Sequence, residues 1–184
     1  MKLKILVAFA CLALFSGCVK FKEFQKILAL TGAYRTDAIE FFDDGAGMTC
    51  DVDVKAQEQL SLTKMEMKGT MDLYFHFGGQ LTFQDMALHY DFALDGQWKI
   101  CGDSLFITPD TKTFKADFQS SNASTSVEQA MVRHLRKYVS DNVENLLKEK
   151  LSDDNTLHME IKFINSNAIM GKADDRLILL QRVE

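Results

Sequence analysis

The side chains best suited to acid–base or metal chemistry are four histidines and pairs of adjacent aspartates. No histidine stands in HxxxH, HExxH or another metal-ligating spacing. His76 and His89 fall on the polar sides of two predicted neighbouring strands, where a solvent-facing pair is the expected arrangement. Asp43-Asp44 and Asp174-Asp175 could act as paired carboxylates, but both adjoin turn signals, which favours solvated turns. The sequence therefore predicts no catalytic residue, no metal site and no cofactor, and we expect a protein that is not an enzyme.

The cysteines offer a second kind of chemistry, and their positions divide them into two groups. Cys11 and Cys18 lie in or just after an apolar N-terminal run, whereas Cys50 and Cys101 lie in the body of the chain. In its predicted strand, Cys101 does not share the alternation of Trp98, whereas Cys50 alternates together with its apolar neighbours. This favours the two cysteines on opposite faces of a sheet. Cys50 and Cys101 could still form one disulfide in an oxidising compartment, or remain free, partly buried thiols.

The N-terminal segment has the parts of a secretory signal peptide. Lys2 and Lys4 precede the apolar run 5–15, and Ser16-Gly17-Cys18 follows it. The apolar run is too short for a membrane-spanning helix, which needs about 20 residues.

Phe15-Ser16-Gly17-Cys18 resembles the lipobox of bacterial lipoproteins, in which an apolar residue, usually Leu, and two small residues precede a cysteine. The resemblance implies that residues 1–17 are removed and that Cys18 carries a diacylglycerol and further acyl chains. More than one chain gives stable anchoring in a membrane, with residues 18–30 as a tether. Val19 stands where Asp would signal inner-membrane retention, which favours the outer membrane, on its periplasmic or outer side.

Length and charge limit the remaining classes of protein. The chain has 184 residues and one proline, which fits a single domain without a long flexible linker. Its formal net charge is −5. Because nucleic-acid phosphates are bound by cations, an acidic chain is a poor nucleic-acid partner.

From residue 32 onward, apolar residues mostly alternate with polar ones, which predicts strands with one buried face. Short turn signals separate the strands and favour an antiparallel meander: Asp43-Asp44-Gly45, Gly78-Gly79, Asp95-Gly96, Gly102-Asp103 and Asn165-Ser166-Asn167. About ten short strands arise from this pattern, and closure into a barrel would protect their edges. Residues 177–180 form a continuous apolar run, which predicts a last strand covered on both faces.

Between residues 125 and 151 the apolar period changes to three and four, which predicts one long amphipathic helix. Thr125 and Glu128 have the spacing of a capping box. We expect the apolar stripe to pack on the sheet, over the last strands. Three cations form a basic patch: Arg133, Arg136 and Lys137. A solvated face is the expected state, with attraction to anionic head groups near the anchor as the alternative.

Two short motifs resemble the lipocalin-like lipoproteins of anaerobic Gram-negative bacteria: Gly32-Ala33-Tyr34, and Gly96-Gln97-Trp98-Lys99-Ile100 followed by Gly102-Asp103-Ser104-Leu105. The resemblance covers roughly Leu30 to Glu184 and implies a calycin-like barrel domain over residues 31–184. Most members of that family have no defined activity. This chain has Tyr34 where true lipocalins have Trp, and its long helix precedes the final strands.

The predicted fold class is therefore mainly β. We expect an antiparallel meander that closes into a lipocalin-like β-barrel or a strongly curved sheet, with one long helix packed on it before the final strands. One face of each barrel strand must line the interior. The apolar residues that we expect on that face, as the lining of a pocket with Trp98 near its mouth, are Val52, Val54, Met71, Leu73, Phe75, Leu88, Tyr90, Phe92 and Trp98.

The sequence leaves two functions open. The first is a non-catalytic, lipid-anchored binding module for a small hydrophobic ligand or a peptide. The second is an envelope structural or interaction protein with a filled core and a protein partner, unidentified by the sequence, on its outer face. A cavity of roughly 300–1,000 Å³ would favour the first function.

Lipidation at Cys18 can be tested by replacing the thiol. Cys18→Ser should abolish incorporation of a clickable fatty acid in cells, because the hydroxyl cannot carry the thioether-linked lipid. Cys101→Ser is the matched control and should label like the parent chain. Labelling of the Cys18→Ser variant would show that the acyl chains are attached elsewhere or that the chain is not a lipoprotein.

Overall fold

The structure is a computed structural model, and it describes residues 23–43, 47–78, 85–149, 156–173 and 176–183. The predicted signal peptide and lipidation site at Cys18 lie outside these ranges, as do Asp44 and the Asp174-Asp175 pair. Among the described residues, no helix is long and apolar enough to cross a membrane.

Antiparallel strands dominate the described residues: β1 (Gly32–Asp43), β2 (Met48–Leu60), β3 (Lys64–Phe77), β4 (Met86–Cys101), β5 (Ser104–Pro109), β6 (Lys115–Ser121), β7 (Leu157–Ile164), β8 (Ala168–Ala173) and β9 (Arg176–Arg182). The sheet order is β3-β2-β1-β9-β8-β7-β5-β4-β6, and β3 also pairs with β4. Eight strands therefore form a closed ring, and β6 lies outside it on β4. The predicted fold class, an antiparallel β-barrel with a helix before the final strands, is confirmed.

The long strand β4 has two different neighbours on one of its edges. Residues 96–101 of β4 pair with β5, which continues the barrel wall. Residues 88–93 pair with β6, which extends the sheet at the other end. The opposite edge of β4 pairs with β3 from Gln97 back to Met86. The molecule is consequently a closed barrel at one end and a flared sheet at the other.

A glycine inside β4 permits a close approach of its neighbours. The sequence predicted a turn at Asp95-Gly96, but both residues belong to β4, and that prediction is wrong. A Cβ atom on Gly96 would lie 2.8 Å from the Thr108 carbonyl oxygen and 2.9 Å from Met65 Cε. A larger residue would collide with these atoms, which explains the glycine at this position. The strand continues through Gly96.

The closed end is filled by a set of buried side chains that we call the barrel core: Leu30, Tyr34, Leu60, Met65, Trp98, Leu105, Ile107, Met159, Ile169, Ala173 and Leu180. Residues 23–30 are helical, and we label this segment α1. Leu30 is part of the barrel core and Ile27 packs against it. The sequence predicted a tether up to residue 30, whereas residues 23–30 form a helix at the closed end of the barrel.

The barrel closes between β1 and β9 through two residue pairs, Tyr34–Arg182 and Arg35–Gln181. The Arg182 guanidinium reinforces this seam by donating to the Ala29 carbonyl (2.7 Å) and to the Tyr34 hydroxyl (2.6 Å). Tyr34 in turn donates to the Leu30 carbonyl at 2.8 Å. The seam and α1 are therefore held together by the same hydrogen-bond network.

The helix α2 (Ser126–Glu149) covers the flared end. Its residues Val132, Leu135 and Val139 pack with β-strand side chains in a second buried set, the helix core, which includes Cys50, Leu73, Phe75, Met86, Leu88 and Tyr90. The sequence placed this helix over the last strands, which is wrong. The concave face of β2, β3 and β4 is the apolar surface that the closed ring leaves uncovered, and α2 occupies it.

The start of α2 has the predicted capping box. Thr125 Oγ1 accepts from the Glu128 backbone N–H at 3.2 Å, and Glu128 Oε2 accepts from the Thr125 N–H at 2.8 Å. The Ser124 N–H donates to the same carboxylate, and these bonds lower the pKa of Glu128 to about 2. The reciprocal bonds satisfy backbone donors that a helix start otherwise leaves without partners.

The last strand differs from its prediction. Leu180 is buried, but Leu177 is 70% exposed and Leu179 is also exposed on the outer face. The apolar run at 177–180 is therefore covered on one face, because α2 packs at the flared end.

Packing of α2 can be tested at Leu135, which is buried in the helix core. Leu135→Ala should lower the free energy of unfolding by roughly 2–5 kcal/mol, because it removes buried methyl groups and leaves a cavity. His134→Ala changes the neighbouring exposed residue and should have little effect. Urea denaturation of both variants measures the difference, and equal midpoints would refute the packing.

Candidate functional site

The nine apolar residues predicted to face inward do not share one environment. Leu73, Phe75, Leu88 and Tyr90 belong to the helix core, and Trp98 belongs to the barrel core. Phe92 is buried, while the remaining three are partly buried: Val52, Val54 and Met71. They do line the concave face of the sheet, but helix α2 covers much of that face.

Trp98 does not mark an open barrel mouth. Its side chain is 3% exposed, and its indole N–H donates to the Ser61 carbonyl at 2.5 Å. Met65, Leu105 and Met159 share its core at the α1 end. Trp98 lines none of the three cavities described below. The closed end therefore has a packed core around its tryptophan.

A cavity lies instead between helix α2 and the segment Thr111–Phe118, and we call it the helix–sheet groove. Its volume is about 860 Å³, within the range of small-molecule sites. One group of lining residues is apolar or aromatic: Tyr90, Phe114, Ala116, Phe118 and Val139. Of the nine residues predicted to line a pocket, Tyr90 is the one that lines this groove.

Aromatic rings organise the sheet side of the groove. Tyr90 and Phe118 meet edge to face, with ring centroids 5.6 Å apart and planes at 72°. Phe114 stacks on Phe92 at 6.3 Å. Both arrangements are preferred geometries for aromatic pairs. The rings of the groove are therefore fixed by neighbours from β4 and β6.

Cations line both sides of the groove: Arg133, Arg136 and Lys137 on the helix side, and Lys112 on the opposing segment. The guanidinium carbon of Arg136 lies 4.2 Å from the centroid of the Phe118 ring, which is a cation–π contact. Asp117 is the acidic residue of the lining. The groove thus combines an aromatic wall with a positively charged rim.

The Tyr90 hydroxyl has no hydrogen-bond partner among the described residues, although Tyr90 is only 5% exposed. Burial raises the pKa of this hydroxyl, and the positive charge of Arg136 acts in the opposite direction. An unpaired buried hydroxyl costs about 1–3 kcal/mol. A polar group next to the floor of the groove would recover part of that cost.

Two further cavities lie elsewhere on the molecule. One of about 660 Å³ is lined by residues 64–66, 95–97 and 108–113. Another of about 450 Å³ lies beside His76, Thr49 and Gly78 at the flared end. The helix–sheet groove is the cavity of the three that joins fixed aromatic rings to several charged groups.

The histidines pair with aspartates on the outer face of the sheet. His76 Nε2 lies 3.1 Å from Asp51 and its Nδ1 lies 2.9 Å from Asp85. The hydrogen bond to Asp85 is the main cause that raises the pKa of His76. His89 Nδ1 lies 2.7 Å from Asp72, its cross-strand partner. These contacts are typical of cross-strand polar pairs, and the two histidines do not pair with each other.

Cys50 and Cys101 are free thiols at opposite ends of the sheet, so the disulfide alternative is not formed. Cys50 is buried beside Phe75, whereas Cys101 is exposed at the end of β4. Burial, together with the charge of Asp51, raises the pKa of Cys50 to about 12. A thiol with this pKa remains protonated at neutral pH and is a poor nucleophile.

One carboxyl group lies inside the barrel. Glu58 on β2 is 5% exposed and accepts a hydrogen bond from Thr36 Oγ1 at 3.0 Å. Burial raises its pKa above the ordinary value of 4.5, and the bond from Thr36 acts in the opposite direction. The sequence singled out neither residue. Alternation with buried Ala56 and Leu60 was the signal that could have placed Glu58 inside.

Sequence reasoning also missed the groove, although it noticed three of its cations. Arg136 and Lys137 each lie three or four residues from both Arg133 and Ser140, which places the four on one helix face. The opposing wall comes from the segment 111–118, whose position depends on the pairing of β6 with β4. Within the part of the chain that the structure describes, no group of three or more histidine, cysteine or acidic side chains could hold a metal ion.

Comparison with protein-family models and with curated proteins identifies no relative. No protein-family model matches the chain, and no curated protein matches it significantly. The lipocalin-like resemblance of the two short motifs therefore stays a prediction, and the barrel is known from the strand pairing alone.

The buried Glu58 carboxyl predicts a pH dependence of stability. Because its pKa in the folded protein is raised, its stabilising contribution is complete below pH 4.5 and is lost as the pH rises through the folded-state value. Glu58→Gln should therefore be more stable than the parent chain at pH 8, and the gain should shrink towards pH 4. Thermal melting across this range measures it.

Glu66→Gln provides the matched control on the exposed side of β3. Its effect on the melting temperature should not grow between pH 4 and pH 8. A Glu58→Gln variant that follows the same flat profile would contradict the raised pKa.

Proposed function

We propose that this protein is a lipid-anchored lipoprotein of the cell envelope with a non-catalytic binding domain for a small hydrophobic ligand. The lipobox-like residues before Cys18 support the anchor, and Val19 supports the outer membrane. Diacylglycerol and acyl chains on Cys18 connect the protein to the bilayer. The acidic net charge of −5 supports partners other than nucleic acid.

The observation that carries the binding function is the helix–sheet groove. It has a volume of about 860 Å³, aromatic rings fixed by their neighbours, and a buried tyrosine hydroxyl that lacks a partner among the described residues. Small-molecule sites are likewise concave and combine apolar or aromatic side chains with polar groups that orient the ligand. Since the closed end is packed around Trp98, the ligand site of this proposal lies outside the barrel interior.

The position of α1 separates the groove from the anchor. Five Cα–Cα steps join Cys18 to Glu23, so at full extension the two residues are at most about 18 Å apart. The α1 end of the barrel is therefore the end held near the bilayer. From Trp98 to Tyr90, strand β4 extends about 26 Å towards the flared end. With the anchor at the α1 end, the groove at the flared end would face away from the bilayer.

A lipocalin-like relationship is part of this proposal and rests on the two short motifs and the closed barrel. In this chain the final strands follow α2, and the helix covers the flared half of the sheet. The proposed site is consequently formed by the helix and the sheet together.

Binding in the groove can be tested with a neutral fluorescent probe, N-phenyl-1-naphthylamine. A chain from Val19 to Glu184 keeps every described contact, because those contacts lie between residues 23 and 183. The probe should bind the parent chain with an emission increase. Ser140→Phe should weaken binding by about ten-fold, because the new ring occupies groove volume.

Ser120→Phe is the matched control, since Ser120 is exposed on β6 and does not line the groove. It should leave probe affinity unchanged. If both variants bind like the parent chain, the groove is not the binding site.

The alternative function is an envelope interaction protein with a partner on its outer face. An exposed apolar row across β7 and β9, formed by Phe163, Leu177 and Leu179, favours it. A photo-crosslinking residue at position 179 would then capture a discrete envelope protein in cells, while one at position 93 on the opposite wall would not. Crosslinking from neither position would leave the ligand-binding function as the better account.

A further inference from the structure

The groove has a charge opposite to that of the chain as a whole. The protein carries a formal net charge of −5, yet four cations and one carboxylate line the groove. Lys112 comes from the segment before β6, and the two arginines and Lys137 come from α2. Cations from two elements therefore converge on one cavity. A solvated helix face would not require this convergence.

The Arg136 side chain is held in place by its neighbours more firmly than an ordinary surface side chain. Its guanidinium lies over the Phe118 ring, and that ring meets Tyr90 edge to face. The charge of Arg136 is also near enough to Tyr90 to influence the pKa of its hydroxyl. Stacking fixes the plane of the guanidinium and leaves its N–H donors available at the edges. Guanidinium donors suit carboxylate and phosphate oxygens.

Tyr90 gives a second, independent indication of a ligand. Its hydroxyl is buried and makes no hydrogen bond among the described residues, and the Tyr90 residue lines the same groove. A phenol donates to an anionic oxygen readily. The donors of Arg136 and Tyr90 thus favour the same kind of acceptor.

We propose that the helix–sheet groove binds an anionic amphiphile. Its carboxylate or phosphate head is held by Arg133, Arg136 and the Tyr90 hydroxyl, and its apolar part lies against Phe114 and Phe118. The inference rests on the proposed function, because it specifies the ligand of the same groove.

An anionic bilayer surface could also attract these cations, but the geometry favours an enclosed ligand. The cations line a concave cavity together with aromatic rings, whereas a flat membrane surface would need them on a convex face. The groove also lies at the flared end, away from α1 and the proposed anchor. The experiment must therefore distinguish binding of a membrane surface from binding of an enclosed ligand.

The experiment compares four decyl probes that differ in their heads: decanoate, decyl phosphate, decanol and decyltrimethylammonium. Each displaces N-phenyl-1-naphthylamine from the chain Val19–Glu184 below its micelle concentration. At least one of the two anions should bind about ten-fold more tightly than decanol, and the cation should bind most weakly. The comparison of decanoate with decyl phosphate identifies the head group.

Three variants locate the head group. Arg133→Gln and Arg136→Gln should each weaken anion binding by about ten-fold while decanol affinity stays unchanged. Tyr90→Phe should weaken anion binding and raise the urea midpoint, because it removes a buried hydroxyl that lacks a partner. Lys115→Gln, on the exposed side of β6, is the control and should preserve the anion preference.

The outcomes separate the inference from the proposed function. Equal affinity for decanol and both anions would overturn the inference and leave a groove for neutral ligands. Failure of every decyl probe to bind would overturn both. If the arginine variants lose binding to phosphatidylglycerol vesicles while decanoate affinity is unchanged, the cations serve a membrane surface and the inference is wrong.

Discussion

The fold of this protein depends on one constraint: a single edge of strand β4 pairs with two different strands. Where β4 pairs with β5, the ring of eight strands closes. Where it pairs with β6, the sheet leaves the ring and flares, and its concave apolar face needs another cover. Helix α2 provides that cover, so one long strand gives the molecule both a closed barrel and a helix–sheet layer.

The two ends consequently have different properties. The closed end is packed around Trp98 and Tyr34 and is held at its seam by Arg182. The flared end buries its apolar face against a helix that also carries cations, and a helix cannot match a curved sheet along its whole edge. The groove forms along that edge, beside β6, where the aromatic rings of the sheet meet the charged face of α2. In folded domains, binding residues commonly lie on less regular segments that a rigid scaffold holds in position.

Much of the fold could be predicted from local patterns. Alternation of apolar residues located the strands, and the spacing of Thr125 and Glu128 located the start of α2. The pattern failed where tertiary contacts decide the outcome. The sequence predicted a turn at Gly96, but this glycine permits a close approach of neighbouring strands inside β4. It also predicted that the run at 177–180 is buried, but Leu177 is exposed. The groove was not predictable because its walls come from the separate segments 111–118 and 133–140. These segments meet through the pairing of β6 with β4, which alternation does not encode.

The central claim is that a ligand occupies the helix–sheet groove while the barrel core stays closed. The most direct measurement is an NMR titration of the isotopically labelled chain Val19–Glu184 with decanoate. The account predicts shift changes at Phe114, Phe118, Val139 and Tyr90, with the Trp98 indole N–H signal unchanged because its bond to Ser61 lies in the packed end. Shift changes at Trp98 and its core neighbours, with the groove signals constant, would contradict it and place the ligand inside the barrel.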